Sequence, residues 1–282
     1  MTSQPVKDFC FCTLALGSKY RSLTTLLARD LEKYSPNTPL VVLTDKPEEF
    51  NTYPNVLAFW HQQSSVGTYH DKRFVIAKAI SLFNACIFVD SNVRILDQVP
   101  DNLEWFPGIT AKTGCSILTQ NRKRDNFLNL IKKIATKLDL NLEDVKFVNE
   151  FMFVVTRDSG VEDEFIKQWG MIANYFELNG IYHGEGNAIG LAAAKVGFSV
   201  RFDSLKEISF FKDRIEKTKM QRGQAAQNEK LIFFEKQKQI EYPRQHFLQK
   251  LLSKLGKYRR RYYHLWRLRI VSLISDYDFY FR

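Results

Sequence analysis

The sequence predicts an α/β fold in which a mixed, mainly parallel sheet is flanked by helices. Apolar strand-like runs alternate with helix-like segments from Phe9 to Phe202. These runs are continuously apolar, which is typical of strands covered on both faces, whereas half-exposed strands alternate apolar and polar residues. A chain of 282 residues with 45% hydrophobic content can bury a sizeable core, and this composition excludes a disordered protein.

The first half of the chain gives the clearest pattern. Strand, helix and strand follow one another within about forty residues, which favours a right-handed, parallel βαβ start. The predicted elements here are a strand at Phe9 to Leu16, a helix at Ser22 to Tyr34, strands at Leu40 to Thr44 and Val56 to Trp60, a helix at Lys72 to Phe83 and a strand at Ala85 to Val89.

The second half is less regular. We expect a turn or short helix at Pro100 to Phe106, a strand at Ser116 to Leu118, a helix at Asn126 to Leu138, a strand at Phe147 to Thr156, helices at Glu162 to Phe176 and Asn187 to Lys195, and a last strand at Phe198 to Phe202. Three segments follow from this pattern: a main domain at 1–205, a charged linker with irregular helices at 206–246, and a basic helical C-terminal extension at 247–282. In the extension, Phe247 to Leu255 has helical spacing and Gly256 is expected to end that helix.

The strand Ala85 to Val89 ends in Asp90-Ser91-Asn92. In open α/β sheets, ligands bind at the carboxyl edge of the strands, so this motif is a candidate for holding a metal ion or a polar ligand. The alternative is an Asx turn, in which Asp90 or Asn92 bonds its own backbone. The tripeptide alone leaves both interpretations open.

The net charge of +10 is concentrated near the C-terminus. Residues 243–282 hold ten Lys and Arg against Asp276 and Asp278, so the main domain is nearly neutral. Basic, aromatic and leucine-rich, the segment 247–282 fits an amphipathic element on an anionic membrane surface. The same composition fits equally well a pair of helices in 247–282 that pack on the main domain. Nucleic acid is the least favoured partner, since no nucleic-acid-binding motif accompanies the basic residues.

The cysteines and the N-terminus bear on the compartment. Three of the four cysteines, Cys10, Cys12 and Cys86, lie in apolar runs, as buried reduced thiols do. The first residues lack the basic head and apolar run of a secretory signal, and no stretch approaches the ~20 apolar residues of a bilayer span. We therefore expect a cytoplasmic protein, with peripheral association at the inner face of a membrane as an option.

In the order of its features, the chain resembles the nucleotide-sugar glycosyltransferases of the GT-A fold, and within them the glycogenin and galactosyltransferase group, family 8. Three stretches carry the resemblance: TLALGSKYRSLTTLLARDL, KRFVIAKAISLFNACIFVDSNVRILDQVPD, and NEFMFVV followed by EGNAIGLAAAKVGF. The second is similar to the family's helix and strand leading into its Asp-x-Asp motif. The resemblance implies a GT-A-like (Rossmann-type) sheet and a hexosyltransferase-like enzyme. It implies a nucleotide-sugar donor, with a UDP-sugar favoured, and a glycan or lipid-linked acceptor.

The resemblance also implies roles for individual residues. Asp90 and Glu185 would be catalytic, with Glu185 binding the acceptor or acting as a base. Around the donor, Tyr20 would stack on the base and Asp45 would bond it, while phosphates would meet Ser91 and one of the cations Lys72, Arg73 and Lys78. Each residue also has an ordinary structural explanation: a helix-entry aromatic, a turn acid, a helix N-terminal carboxylate or a solvated cation.

The resemblance implies Mn²⁺ or Mg²⁺ held by Asp90 and Asn92. Here the sequence departs from the family, because an amide replaces the second acid and the site loses one negative charge. Either His183 supplies a third ligand, or the transferase works without metal; an isolated loop histidine is more often solvated. Asn149 and Glu150 interrupt an apolar strand, which suggests contact with the acceptor.

A rival from another class stays open. A non-catalytic GT-A-like or other α/β binding protein could carry a decayed metal motif at Asn92 and use its basic tail to reach a membrane or nucleic acid. Donor binding and turnover separate the two, since only an enzyme would transfer the sugar.

Overall fold

The structure is a computed structural model that describes residues 8–203, 205–224, 230–242 and 247–282, for 247–250 the backbone only. Its first half confirms the predicted alternation. The elements are β1 (Phe9–Ala15), α1 (Ser18–Tyr34), β2 (Leu40–Thr44), β3 (Val56–Trp60), α2 (Lys72–Leu82) and β4 (Ala85–Val89).

The remaining elements belong to a longer and more irregular part of the chain. They are β5 (Arg94–Ile95), β6 (Gly108–Ala111), β7 (Gly114–Ser116), α3 (Ile117–Asn121), α4 (Asp125–Leu138), β8 (Lys146–Val148), β9 (Met152–Thr156), α5 (Val161–Leu178), α6 (Glu185–Val196), β10 (Val200–Phe202), β11 (Phe210–Phe211), α7 (Asp213–Gln221), α8 (Leu231–Glu241), α9 (Phe247–Ser275) and α10 (Tyr277–Phe281).

A seven-stranded sheet forms the centre of the molecule, in the order β10-β6-β9-β4-β1-β2-β3. The strands β1 to β4 run parallel, β10 runs parallel to β6, and β9 lies antiparallel between β4 and β6. Apolar clusters cover both faces, one packed under α2, α4, α5 and α6 and the other under α1. The predicted class, a mixed and mainly parallel sheet flanked by helices with a helical C-terminal part, is confirmed.

Two strand predictions need correction. The segment Phe147 to Thr156 is not one strand, because β8 ends before Asn149 and β9 begins at Met152. Its polar pair sits in the turn between the two strands, where it reaches the surface of a cavity. The predicted strand at Ser116 to Leu118 is wrong as well: Ser116 ends β7 and caps α3 by accepting a hydrogen bond from the Leu118 N–H at 3.3 Å.

Part of the predicted linker 206–246 is built into the body. The strand β11 pairs antiparallel with β5, which directly follows the Asp90-Ser91-Asn92 motif. Residues 225–229 and 243–246 of this region lie outside the described residues, as does residue 204 just before it. The division at 205 and 246 stays a prediction.

The C-terminal helix differs from the predicted one. Gly256 does not end it, since α9 continues through this glycine to Ser275. Its second half packs on the body through His264, Leu268 and Ser272, which are buried at helical spacing, and Arg267 donates to the Ser64 carbonyl at 2.5 Å. Within the described residues, no helix combines the length and apolar character needed to cross a bilayer.

Candidate active site

A cavity of about 1060 Å³ opens at the carboxyl edge of β1 and β4. Its walls come from the ends of these strands, the turn between β8 and β9, the N-terminus of α6, and α7 with the end of α8. Ligands of parallel α/β sheets bind at this edge, because the loops that follow the strands diverge there. Thr68, Tyr69 and Lys72 and, from α3 and the start of α4, Gln120 and Arg124 also line the cavity, so the fold gathers residues from eight separate segments around one space.

Most of the residues singled out from the sequence line this cavity. The cavity-lining members are Tyr20, Lys72, Asp90, Ser91, Asn92, His183 and Glu185, together with Asn149 and Glu150 from the broken strand. Tyr20 presents an aromatic ring that is 41% exposed. The Asp90-Ser91-Asn92 motif and the loop before α6 thus face a common space, as expected from their positions after buried strands and before a helix.

Three predicted donor-binding residues lie outside the lining of the cavity. Asp45 accepts hydrogen bonds from the Gly17 N–H at 3.0 Å and from Arg21 Nη1 at 2.7 Å. It therefore ties β2 to the loop after β1. Burial raises the pKa of Asp45, but the Gly17 and Arg21 donors outweigh burial and leave it lowered.

The two cations from α2 are also used elsewhere. Arg73 is buried, donates to the His70 carbonyl at 2.8 Å and lies against the Phe74 ring. The Lys78 ammonium lies 4.2 Å from the centre of the Phe59 ring. Neither side chain contributes to the lining of the cavity, so of the three cations on this helix only Lys72 faces the site.

Lys72 connects the two acids that were predicted to be catalytic. Its ammonium lies 3.0 Å from Asp90 Oδ1 and 3.0 Å from Glu185 Oε1, and 3.5 Å from the Glu150 carbonyl. Glu185 also accepts from the Gly184 N–H at 3.1 Å through its other oxygen. The three hydrogens of the ammonium are therefore matched by three oxygens, and Glu185 is fixed at the start of α6.

A second lysine completes the site and was missed in the sequence. Lys212, between β11 and α7, donates to Asp90 Oδ2 at 2.8 Å and to Asn92 Oδ1. Asn92 in turn donates from Nδ2 to Glu241 Oε1 at 3.3 Å, at the end of α8. We call the side chains of Lys72, Asp90, Asn92, Lys212, Glu185 and Glu241 the charged network.

The network holds Asp90 and Glu185 ionised. Burial alone would raise the pKa of Asp90, but Lys212 and Lys72 outweigh it and keep that pKa at about 2. The pKa of Glu185 is likewise raised by burial and lowered, on balance, by Lys72. Burial lowers the pKa of Lys72, yet Asp90 and Glu185 raise it well above its usual range. Both acids are therefore negative and Lys72 positive throughout the neutral range.

Glu150 behaves differently. Burial, with Glu185 nearby as a second cause, raises its pKa to about 7 despite the opposing effect of Lys72. A carboxyl group that titrates near neutrality can take up or release a proton under ordinary conditions. Glu150 is therefore suited to proton exchange in the cavity.

The wall that follows Lys212 is basic. Helix α7 turns one face to the cavity, with Arg214, Thr218, Lys219 and Arg222, while Lys19 and Arg124 add charge from other segments. The spacing of these α7 residues is a helical one and is visible in the sequence. That signal could have marked a basic face, although no local pattern indicates that the face lines the same cavity as Asp90.

The residues do not fit a resident divalent metal ion. Both oxygens of Asp90 are occupied by ammonium groups, and the amide oxygen of Asn92 accepts from one of them. His183, the third predicted ligand, stacks on the Phe127 ring with centroids 6.0 Å apart. In the part of the chain that the structure describes, no three His, Cys, Asp or Glu side chains lie where they could share a metal ion.

Among known proteins, the chain is similar to several solved structures. No protein-family model and no curated protein matches the chain. One similar structure is a galactosyltransferase, LgtC, in complex with donor and acceptor sugar analogs, with 12% identity and a TM-score of 0.46; the match covers 68% of this chain and 72% of that one. Another is the bifunctional glycosyltransferase WbbM in its apo form, with 12% identity and a TM-score of 0.43, covering 71% of this chain and 40% of that one.

Proposed function

We propose that the protein is a glycosyltransferase that moves a sugar, a hexose in the first instance, from a nucleotide-diphosphate sugar to a hydroxyl group of a glycan or lipid-linked acceptor. The observation that carries this proposal is the composition of one cavity. An exposed aromatic ring (Tyr20), the Asp90-Ser91-Asn92 motif and a basic helix face line the same space at the carboxyl edge of the sheet.

The donor would use these three features for its three parts. The Tyr20 ring offers a stacking surface for the base, and a UDP-sugar is the first choice of donor. The basic face, with Arg214, Lys219 and Arg222, offers charge-assisted hydrogen bonds to a diphosphate. Asp90 would then face the sugar and ribose hydroxyls, because an ionised carboxylate is an acceptor of hydroxyl hydrogen bonds.

The transfer breaks the bond between the anomeric carbon and the diphosphate oxygen, and the nucleoside diphosphate leaves with the electron pair. The acceptor oxygen forms the new bond to the anomeric carbon and loses its proton. Glu150 is suited to receive that proton, since its pKa is raised to about 7. Glu185 is 5% exposed and bound to Lys72, which favours a positioning role over that of a base.

The exposed half of α9 supports a lipid surface as the place of action. Residues 251–263 are exposed throughout, and they interleave Lys254, Lys257 and Arg259 to Arg261 with leucines and tyrosines. Apolar and cationic side chains in this mixture suit the interface of an anionic membrane. We therefore propose peripheral association at the inner face of a membrane, with a cytoplasmic active site.

A panel of UDP-, GDP-, CMP- and dTDP-sugars tests the enzymatic proposal. We expect thermal stabilisation by at least one donor and its slow hydrolysis or transfer to an added acceptor. The variant Asp90→Asn should lose turnover, while Lys217→Ala, on the same helix as the basic face but outside the cavity, should keep it. Stabilisation with no turnover under any condition would support the rival binding protein, and no response to any donor would refute a donor site.

Vesicle sedimentation tests the membrane proposal. Vesicles rich in phosphatidylserine should sediment the protein, and Arg259→Ala with Arg260→Ala should weaken its binding to them about 30-fold, since each charge near the surface contributes roughly 1 kcal/mol. Lys132→Ala with Lys133→Ala, a pair of exposed cations on α4, is the matched control. Equal sedimentation of both double variants would contradict the role of α9.

A further inference from the structure

We propose that the ammonium of Lys212 takes the place of a divalent cation, so that the site binds a nucleoside diphosphate and assists its departure without metal. This inference rests on the proposed glycosyl transfer, and it extends that function to a residue outside the motif. Four observations support it: the position of Lys212, the identity of residue 92, the occupation of Asp90, and the basic face beside them.

Lys212 is held in position by the fold. It directly follows β11, in which Phe211 pairs with Arg94 of β5, two residues beyond Asn92. The backbone N–H of Leu96 donates to the Ser209 carbonyl at 2.9 Å and extends this pairing. The lysine side chain is 12% exposed. The pairing of β11 with β5 therefore holds the Lys212 ammonium against the motif. A solvated surface lysine would not be held in one position in this way.

The amide at position 92 fits this arrangement better than an acid. Its oxygen accepts from Lys212, and its Nδ2 donates to Glu241 at 3.3 Å. A carboxylate has no donor for Glu241 and would bring two negative groups together. The departure from an Asp-x-Asp motif is thus explained by the two partners of Asn92, one cationic and one anionic.

Asp90 has little capacity left for a metal ion. Lys72 lies 3.0 Å from Oδ1 and Lys212 lies 2.8 Å from Oδ2. Mn²⁺ and Mg²⁺ are bound through several oxygen ligands, usually including carboxylates, at about 2.0–2.2 Å. An ion at that distance from Asp90 would meet two ammonium groups at close range, and like charges in a partly buried site repel strongly.

Lys212 can still contact a ligand. An ammonium has three hydrogens, and in the described part of the chain two acceptors, Asp90 and Asn92, use two of them. The third is available to an oxygen in the cavity, next to Arg214 and Lys219 of the basic face. When the bond to the anomeric carbon breaks, the electron pair stays on the diphosphate oxygen. Lys212 would stabilise that charge as a fixed cation does.

Isothermal titration with UDP, GDP, ADP and dTDP, each with EDTA and again with Mn²⁺, tests this inference. We expect at least one nucleotide to bind equally well in both conditions. Lys212→Ala should weaken its binding by about 10- to 100-fold, because a charged hydrogen bond is lost. Lys212→Arg should keep most of the affinity, and Lys217→Ala should match the wild type. A melting curve for each variant checks that it is folded.

The outcomes separate the two proposals. Binding that EDTA abolishes and Mn²⁺ restores would overturn the role of Lys212 while leaving a transferase in place. Wild-type affinity in a folded Lys212→Ala variant would also overturn it. No binding of any nucleotide in either condition would remove the donor site itself, and the inference with it. Titration of the protein with Mn²⁺ alone should detect no tight site, and a tight site lost in Asp90→Asn would contradict us.

Discussion

Replacing Lys72 by methionine should destabilise the protein more than any other single change in the charged network. Methionine keeps the length of the side chain and removes its charge, so the packing against Phe88, whose ring centre is 5.2 Å from the ammonium, is largely preserved. What is lost is the cation between two carboxylates. Asp90 keeps Lys212 as a partner, whereas within the described residues Glu185 keeps backbone N–H donors alone, those of Gly184 and of Glu185 itself.

The distances set the size of the effect. At 3.0 Å and an effective dielectric constant of about 20, each ammonium–carboxylate attraction is roughly 5 kcal/mol before desolvation. Desolvation offsets much of this, and loss of one partner of a buried pair costs about 3–5 kcal/mol. Because Asp90 remains paired with Lys212, we expect Lys72→Met to lower the free energy of unfolding by the lower end of this range, about 3 kcal/mol at neutral pH.

The penalty should depend on pH in a defined direction. Without Lys72, burial raises the pKa of Glu185 above the value of 4.5 that applies to an unperturbed side chain. When a carboxyl group has a higher pKa in the folded state than in the unfolded state, it stabilises the fold at pH values below its unfolded-state pKa. This stabilisation is lost as the pH rises through the folded-state pKa. The destabilisation by Lys72→Met should therefore be small near pH 4.5 and grow toward neutral pH.

Urea unfolding followed by fluorescence at several pH values measures this effect. The double variant Lys72→Met with Glu185→Gln should recover about 1–2 kcal/mol at neutral pH, since it leaves no unpaired charge at position 185. An unchanged unfolding midpoint in Lys72→Met, or a loss of stability that does not vary with pH, would refute the pairing of Lys72 with Asp90 and Glu185.

Other predictions concern stability elsewhere. The contribution of Glu150 to stability should fall as the pH rises from about 4.5 through 7, because its raised pKa means that its proton is held in the folded state, whereas buried His70, with its pKa lowered to about 4, gives the opposite trend in the same range. Glu150→Gln should therefore gain about 1–2 kcal/mol relative to the wild type between pH 4.5 and pH 8, as thermal unfolding of both proteins at the two ends of this range would reveal. Gly190→Ala should cost about 2 kcal/mol in urea unfolding, since its Cβ would lie 1.9 Å from the Lys146 carbonyl oxygen and would push α6 off β8. Gly256→Ala, where the new Cβ meets nothing within 4 Å, should instead raise the helicity of α9 measured by circular dichroism and stabilise that helix by about 0.5–1 kcal/mol.

The central sheet was predictable because its signals are local. The runs that became β1, β2 and β4 are continuously apolar, and the helices between them show regular leucine and alanine spacing. The position of Asp90 at the end of a buried strand followed directly from that pattern. The turn at Asn149 and Glu150 did not: these two polar residues were noticed as an interruption of an apolar run, but the run was assigned to one strand, whereas β8 ends before them and β9 begins after them.

The partners of the motif were not predictable in the same way. Lys212 is 120 residues from Asn92, and Glu241 is 149 residues from it. A lysine after two phenylalanines in a charged segment has no local feature that separates it from a solvated lysine. Arg73 and Lys78 show the opposite error, because they were predicted to reach the site and do not line it. Helical spacing next to a motif does not reveal which side of α2 faces the cavity. Gly256 shows that a glycine lowers helix propensity without ending a helix whose flanking turns are favourable.

The pairing of β11 with β5 bears on which stretch of chain is needed for a working site. A fragment ending at residue 205 would contain all seven strands of the central sheet, and yet Asp90 would lack one of its two cations and Asn92 would lack both partners. The smallest competent unit therefore extends at least to Glu241. Truncations designed from the sheet alone would retain the strands and leave the charged network around Asp90 incomplete.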